Sequence, residues 1–426
     1  MNENTRPVAV LAGNRIPFAR SNGPYAKASN QDMLTAALSG LIDRAGLEGQ
    51  RLGEVAAGAV LKHSRDFNLT RECVLGSKLA HDTPAYDVGQ ACGTGLQAVI
   101  QVANKIALGQ QESAIAGGVD TTSDAPIALN DDLREILLEF NSARSAGTRL
   151  RILSKIRPGH IVPEIPRNAE PRTGLSMGEH TAIMARDWGI TRREQDELAA
   201  TSHQNLARAY ETGFQDDLVT PFLGMERDQN LRADSTAEKL GKLKPVFGGE
   251  DGTMTAGNST PLSDGASAVL LSSDEWASAN GYTPQAYLVD AEVAAVDYVG
   301  AKEGLLMAPA YAVPRLLARN DLSLQDFDFY EIHEAFAAQV LCTLKAWEDP
   351  VFCKQRLGLD EPLGSIDRSK LNVNGGSLAA GHPFAATGGR IVAGLAKMLD
   401  ERPEGGRGLI SICAAGGQGV VAILER

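Results

Sequence analysis

Aromatic side chains are scarce, 5% of the 426 residues, so the 43% of hydrophobic residues is mostly aliphatic. That composition excludes a disordered chain and fits a globular protein with an aliphatic core. Cationic residues are in deficit, 41 Lys and Arg against 53 Asp and Glu for a net charge of −12, so no nucleic acid is expected among the partners. Cysteine is sparse too. Five residues, an odd number with no C-x-x-C pair, give neither a disulfide framework nor a zinc knuckle and fit a reducing compartment. The apolar run at residues 8–12 is too short for a signal peptide or a membrane span, and a cytoplasmic protein is expected. Glycine, by contrast, is abundant: 44 residues, above the usual share of about 7%. Tight turns and a site built from backbone follow from that excess.

At roughly 150 residues per domain the length allows about three units. Residues 8–12 read as a buried strand, 32–45 as a helix, 55–61 as a strand, 95–108 as a helix closed at Gly109, and 113–119 as a strand. The same order returns later, with a strand at 286–291, a helix at 312–319, a strand at 329–332, a Gly-rich turn, a helix at 387–399 and strands flanking Cys413. Two βα-type halves of one design are implied. Between them, residues 122–250 are richer in charge and helical patterns, including 192–212 with Thr191 as N-cap, and read as an inserted domain. The expected division is therefore 1–121 plus 251–274, then 122–250 as the insertion, and 275–426.

Four segments concentrate cysteine, histidine and glycine. In Gly89-Gln90-Ala91-Cys92-Gly93-Thr94-Gly95 a cysteine sits in a turn entering a helix, whose N-terminus would favour the thiolate. The alternative is an inert buried cysteine beside a turn. Asn372-Val373-Asn374-Gly375-Gly376-Ser377 runs on through Gly381-His382-Pro383 to Thr387-Gly388-Gly389, and a histidine so placed can serve as a base or an oxyanion donor. Cys413-Ala414-Ala415-Gly416-Gly417-Gln418-Gly419 follows an apolar strand with a turn whose amides can form an oxyanion hole. In His333-Glu334-Ala335-Phe336, H-E-x-x-H zinc binding fails because position 337 is alanine, so no metal is expected.

Together, in this order, these segments resemble the thiolase family over essentially the whole chain, most closely the thiolase (β) subunits of trifunctional-type fatty-acid β-oxidation complexes. The resemblance implies an α/β fold of two βαβαβαββ halves, each with a five-stranded sheet, in α-β-α-β-α layers with an inserted loop domain. It implies Cys92 as the acylated nucleophile, His382 as its base, and Cys413 as the second acid/base. One oxyanion hole would combine His382 with a water held from His333. The other would use the backbone amides of Cys92 and Ala415. Two positions depart from the commoner family pattern, which has asparagine at His333 and glycine at Ala415; the charge of the imidazole becomes a new variable. Met177 and Gly178 match a loop-domain motif lining the acyl and pantetheine channel, and Thr260 falls where a pantetheine-binding serine usually stands. Each of these three also has a plain packing reading.

The implied activity is cleavage of 3-ketoacyl-CoA with CoA to acetyl-CoA and a shortened acyl-CoA, with no bound cofactor and CoA as co-substrate. Three other readings stay open: a biosynthetic acetoacetyl-CoA thiolase, a decarboxylating condensing enzyme using Cys92, His333 and His382, and a non-catalytic acyl-CoA-binding subunit. A homodimer or higher homo-oligomer is implied. Residues 130–160 carry Arg144, Arg149, Arg151, Lys155 and Arg157 interleaved with Leu150, Ile152, Leu153 and Ile156, after an apolar stripe of Leu133, Ile136, Leu137 and Phe140. That pattern reads as a helical hairpin with a basic amphipathic arm, a docking surface for a hydratase/dehydrogenase α subunit or a peripheral membrane contact. Packing on the loop domain, and steering of CoA phosphates, are the other readings.

Overall fold

The computed structural model describes residues 5–300 and 303–426. Nine strands form one hydrogen-bonded path. In chain order they are Ala9–Arg15 (β1), Glu54–Ala57 (β2), Ala85–Asp87 (β3), Ser113–Asp120 (β4), Ser263–Ser272 (β5), Ala286–Ala295 (β6), Phe329–Ile332 (β7), Arg407–Ala414 (β8) and Gln418–Glu425 (β9). Across the sheet they run β7-β8-β9-β6-β1-β5-β4-β2-β3. The seam between the halves is thin, only Ala9↔Tyr287 and Val10↔Ala286.

Helices Asn30–Ala45 (α1), Thr94–Ala107 (α2), Ala308–Arg319 (α7), Ala337–Glu348 (α8) and Ala386–Asp400 (α9) complete the α/β layering, with Asp131–Ser142 (α3), Ala146–Leu153 (α4), Met177–Asp187 (α5) and Arg192–Glu211 (α6) between β4 and β5. The α1 helix starts at a Ser29–Asp32 capping box and lies on β1 and β5. The α2 and α9 helices pack on one another at the centre, with α9 touching strands of both halves, while α7 covers β6 and β9. The layers therefore alternate helix, sheet, helix pair, sheet, helix. Because both faces of the central strands are covered, β4 and β5 are buried at every residue. The helix pair approaches closely where glycine permits it: a Cβ on Gly388 would lie 2.2 Å from the Leu96 nitrogen.

Several local expectations shift for physical reasons. The strand expected at 55–61 ends at Ala57, since Val60 and Leu61 turn their amides onto the Asp120 carboxylate at 2.8 to 3.1 Å. The α7 helix starts at Ala308 rather than residue 312, with a proline in its first turn, where a missing N–H costs nothing. The second half has four strands where five were expected. The place of the fifth holds a single Tyr330↔Leu371 bridge, because Asn372 takes a left-handed backbone at φ 46° and turns the chain away. Its side chain substitutes for ladder pairing, accepting from the Ile332 amide and donating to the Ile332 carbonyl at 2.9 Å.

The segment between β4 and β5 leaves and returns at two strands paired over the full length of β4, Ser113↔Ser272 to Asp120↔Gly265. Strand character resumes at Ser263, with a small separate pairing of Pro245–Phe247 and Met254–Thr255. The α6 helix has the Thr191 cap, in a capping box with Glu194. Met184, Ala185 and Ile190 join the core of the second half, whereas Ala209, Phe214, Leu218 and Val219 join the core beside α2 and α9.

Candidate active site

Cys92 sits in a 3-10 turn, Ala91–Gly93, directly ahead of α2. The turn is strained at Ala91, whose φ of 46° is rare for a residue with a Cβ. Thr94 holds it, its hydroxyl accepting from the Gln90 amide at 2.8 Å and donating to the Ala91 carbonyl at 2.7 Å. Gly93 leaves room for Val420, which a Cβ would meet at 2.8 Å. The turn packs against β8 and the start of α9, so the cysteine faces the elements that carry Cys413 and follow His382.

His382 is buried and held from both sides. Its amide donates to Ser263 Oγ at 3.2 Å and its Nδ1 pairs with Thr387 Oγ1 at 2.6 Å. Gly381 before it adopts φ 101°, a region open to glycine. His333, at the end of β7, pairs through Nδ1 with Ser377 Oγ at 2.9 Å. The two imidazoles stand 4.1 Å apart between ring centres, and both Nε2 atoms are buried without a protein partner. Two unpartnered ring nitrogens in one pocket are where a reacting oxygen or proton can be received.

Electrostatics set the resting charge state. Burial holds His382 down to about 3, with the Arg390 charge adding to the fall, and burial, His382 and Arg390 together hold His333 well below the ordinary value. Both rings are neutral at pH 7. Burial pushes the Cys92 thiol up to about 12; the Ala415 amide and the cysteine's own amide pull it back, while the Asp120 and Glu170 charges add to the rise. The helix terminus is expected to favour the thiolate, and in the resting site desolvation outweighs it. Inactivation by iodoacetamide should therefore keep accelerating with pH beyond the region where a free cysteine of pKa about 8.5 levels off. A plateau below about pH 8 would mean that the helix terminus had already formed the thiolate.

The amides of Cys92 and Ala415 both reach the Cys92 sulfur. Ala415 lies outside the left-handed region while Gly416 and Gly417 occupy it at φ 77° and 72°, so alanine keeps the donor that a glycine would supply. Glu170 fixes this loop, accepting from the Gly416 amide at 2.9 Å and from the Tyr298 hydroxyl at 3.0 Å. Cys413, at the end of β8, is buried, and its thiol is raised well above the ordinary value by burial and by the neighbouring Cys92.

The proposed substrate contacts fare differently. The Thr260 hydroxyl donates to the Ala335 carbonyl at 2.9 Å and so braces the H-E-A-F segment. Met177 opens α5 behind a Ser176–Glu179 capping box and packs on the second-half core. At Gly178 a Cβ would stand 2.3 Å from the Phe247 ring, which meets Phe336 edge to face at 6.2 Å. The glycine makes room for the Phe247 ring.

Four supporting residues had no role assigned from the sequence. Glu334 is a buried bracket: its carboxylate accepts from Ser202 Oγ at 2.7 Å, Asn372 Nδ2 at 2.7 Å and the Leu378 amide at 3.1 Å. Asp120, pushed up to about 7 by burial against the pull of its amide donors, also accepts from the Ala385 amide at 2.9 Å and ties the His382 loop to β4. Ser377 and Arg390 complete the set; Arg390 donates to Ser377 Oγ at 3.2 Å. Among the described residues no group of three or more His, Cys, Asp or Glu side chains is placed to hold a metal ion.

Comparison with known proteins points one way. The chain matches the Thiolase, N-terminal domain over residues 8–275 and the Thiolase, C-terminal domain over residues 282–426. It is 41% identical over 424 residues, 98% of this chain and 96% of the relative, to a 3-ketoacyl-CoA thiolase of Pectobacterium atrosepticum. The structure superposes on the Bacillus anthracis acetyl-CoA acetyltransferase with a TM-score of 0.81 at 31% identity over 100% of both chains. It matches human mitochondrial 3-ketoacyl-CoA thiolase in complex with CoA at a TM-score of 0.80 and 28% identity, over 99% and 98% of the two chains.

Proposed function

This chain belongs to the thiolase family, and from that premise we propose that it is a 3-ketoacyl-CoA thiolase, an acyltransferase with CoA as co-substrate. The observation that carries the reading is the convergence of Cys92, two neutral histidines with free Nε2 atoms, and a second protonated thiol on one Gly-rich junction. Cys92 gives its proton to His382 Nε2 as its sulfur bonds to the ketone carbon, and the amides of Cys92 and Ala415 receive the oxyanion. The bond from ketone carbon to α carbon then breaks. Acetyl-CoA leaves as its enolate, whose oxygen is met by the two histidines, and the Cys413 thiol protonates its carbon. In the second half Cys413 removes the proton of a free CoA thiol, which displaces the acyl group from Cys92, and His382 returns the proton to the departing sulfur.

A cavity of about 530 Å³ lined by Leu175, Ile183, Met184, Trp188, Met307 and Phe352 reaches Tyr298, next to the Glu170 contact that holds Gly416. Its apolar residues suit an acyl chain longer than acetyl, while Asp187, Glu303 and Arg356 share the same wall; the degradative direction is supported by the relatives named 3-ketoacyl-CoA thiolase. The test is thiolysis, followed as loss of 3-ketoacyl-CoA enolate absorbance on adding CoA across chain lengths. Activity confined to acetoacetyl-CoA would favour the biosynthetic reading, and none at any length would reject both.

For partners we propose a homodimer or larger homo-oligomer, and docking of an α subunit or an anionic membrane through the α3–α4 hairpin. Leu138 and Leu150 are exposed there at 59% and 73%, beside exposed Arg144 and Arg151. Arg149 and Lys155 are occupied, the first donating to the Ala143 carbonyl and the second pairing with Glu139 at 2.6 Å. Reversing Arg144 and Arg151 to glutamate should weaken liposome sedimentation or partner pull-down, more so at low salt, while thiolysis of a short soluble substrate persists. Unchanged association with a raised KM for CoA would favour phosphate steering. Among the described residues no helix is long and apolar enough to cross a membrane.

A further inference from the structure

His333 carries one hydrogen on its neutral ring, and which nitrogen holds it decides whether the face toward the reaction offers a donor or a lone pair. Its Nδ1 has one partner, Ser377 Oγ, at 2.9 Å, while its Nε2 is buried and unpartnered. The serine is fully buried, so its own proton needs a partner close by. The same oxygen takes a hydrogen bond from Arg390 at 3.2 Å. A guanidinium donates and never accepts. With Arg390 supplying a hydrogen to the oxygen, the serine O–H is left to find an acceptor, and His333 Nδ1 is the partner within reach. Were Nδ1 protonated instead, Ser377 would face two donors and its own hydrogen would be buried unpaired, the costly arrangement for a polar group.

We propose that Arg390 is a positioning residue that works through Ser377: it turns the serine proton onto His333 Nδ1 and locks His333 as the Nε2–H tautomer, a fixed hydrogen-bond donor beside His382. The inference rests on the thiolase reading for what that donor meets, the enolate oxygen of acetyl-CoA or a water against it. The lock matters because of the pairing of rings. His382 must present a lone pair at Nε2 to accept the Cys92 proton, and a neighbouring imidazole 4.1 Å away that also presented a lone pair would leave the developing anion with only the single donor His382 gains from Cys92. With the lock, one ring is acceptor and the other donor before substrate arrives. Burial lowers Arg390 from its ordinary value and Glu331 and Glu334 pull the other way; a guanidinium keeps its charge in a protein, and a cavity of about 30 Å³ lined by Arg15, Glu331, Asn374 and Arg390 has room for water, which needs about 10–15 Å³.

Two measurements test this on the full chain. In protein labelled with nitrogen-15 histidine, the His333 signals, assigned by their loss in His333→Asn, should show an unprotonated Nδ1 and a protonated Nε2; the opposite pattern overturns the proposal. This reads the resting protein and holds even if thiolysis fails, so the two readings fail separately. The second is a double-mutant cycle. Ser377→Ala should lower kcat about tenfold, less than the roughly 10²–10³ of a wholly lost oxyanion donor because the ring itself stays, with little change in the KM for CoA. In a His333→Asn background the same substitution should change kcat less than about twofold, because an amide nitrogen carries its hydrogens whatever its neighbour does. Equal losses in both backgrounds would reduce Ser377 and Arg390 to structural roles and overturn the lock. Arg390→Lys, which keeps a buried donor, should retain more activity than Arg390→Met, and equal loss in two folded variants also counts against it.

Discussion

Incubated with an acyl-CoA, the protein is expected to carry the acyl mass on Cys92 alone of its five cysteines, and Cys92→Ala is expected to lose labelling together with at least about 10⁴-fold of its turnover. Acidity does not select this residue, since burial pushes the Cys73 thiol up to about 12 as well. Access and amides do. Cys92 is half-buried where the other four are buried, and it is the one that two amides address. Cys73 lies under α1 with its thiol toward the Gln31 carbonyl at 3.7 Å. Cys353 spends its thiol hydrogen on the carbonyls of Ala346 and Trp347 at 3.4 Å, and Cys342 is buried in the second-half core. An acyl group at any of these three has no room and no oxyanion donor. Peptide mass mapping after a brief incubation decides the matter, and an adduct at Cys73, Cys342 or Cys353 would remove Cys92 from the role.

What could be read from the residues alone follows the range of the forces involved. The turns around Cys92, His382 and Cys413 were legible because glycine clusters and helix starts are local, written within a few residues. The thiolase fold was legible through the same motifs in order. Glu334 was visible as part of H-E-A-F, yet its work is done on Ser202, Asn372 and Leu378, all distant in sequence, and no local pattern announces that. Asp120 at a strand end gives no sign that it will clamp Ala385, 265 residues on. The resting charge of Cys92 departs from what its helix terminus suggests for a related reason. A helix terminus is apparent in sequence, whereas the desolvation that overrides it exists only after both halves close around the turn. The missing fifth strand turned on one left-handed residue, Asn372, inside a segment that otherwise invited a symmetric reading.

Cys413→Ala should separate the two thiols by role. Formation of acyl-Cys92 from an acyl-CoA uses the nucleophile, its base and the amide donors, which this variant keeps, and loses only the acid that protonates the departing CoA sulfur, a thiol acidic enough to leave as its thiolate, so some acyl-enzyme should still accumulate, more slowly. The step that moves a proton on and off the α carbon of acetyl-CoA has lost its carrier. Turnover should fall by about 10²–10⁴-fold, the usual worth of a positioned acid/base, and exchange of acetyl-CoA α-protons with deuterated solvent should stop. The charge coupling between the sulfurs explains why the division holds. Each thiolate disfavours the other, and burial already raises Cys413 well above an ordinary thiol, so it waits protonated until an enolate forms beside it. Serine at 413 should not rescue exchange, because a hydroxyl is a far weaker acid than a thiol. The readout is proton NMR of acetyl-CoA in deuterium oxide, with Cys92→Ala alongside as a control that keeps the Cys413 thiol. Exchange at the unmodified rate in Cys413→Ala would take this cysteine out of the mechanism and leave His333 or His382 as the group that hands the carbon its proton.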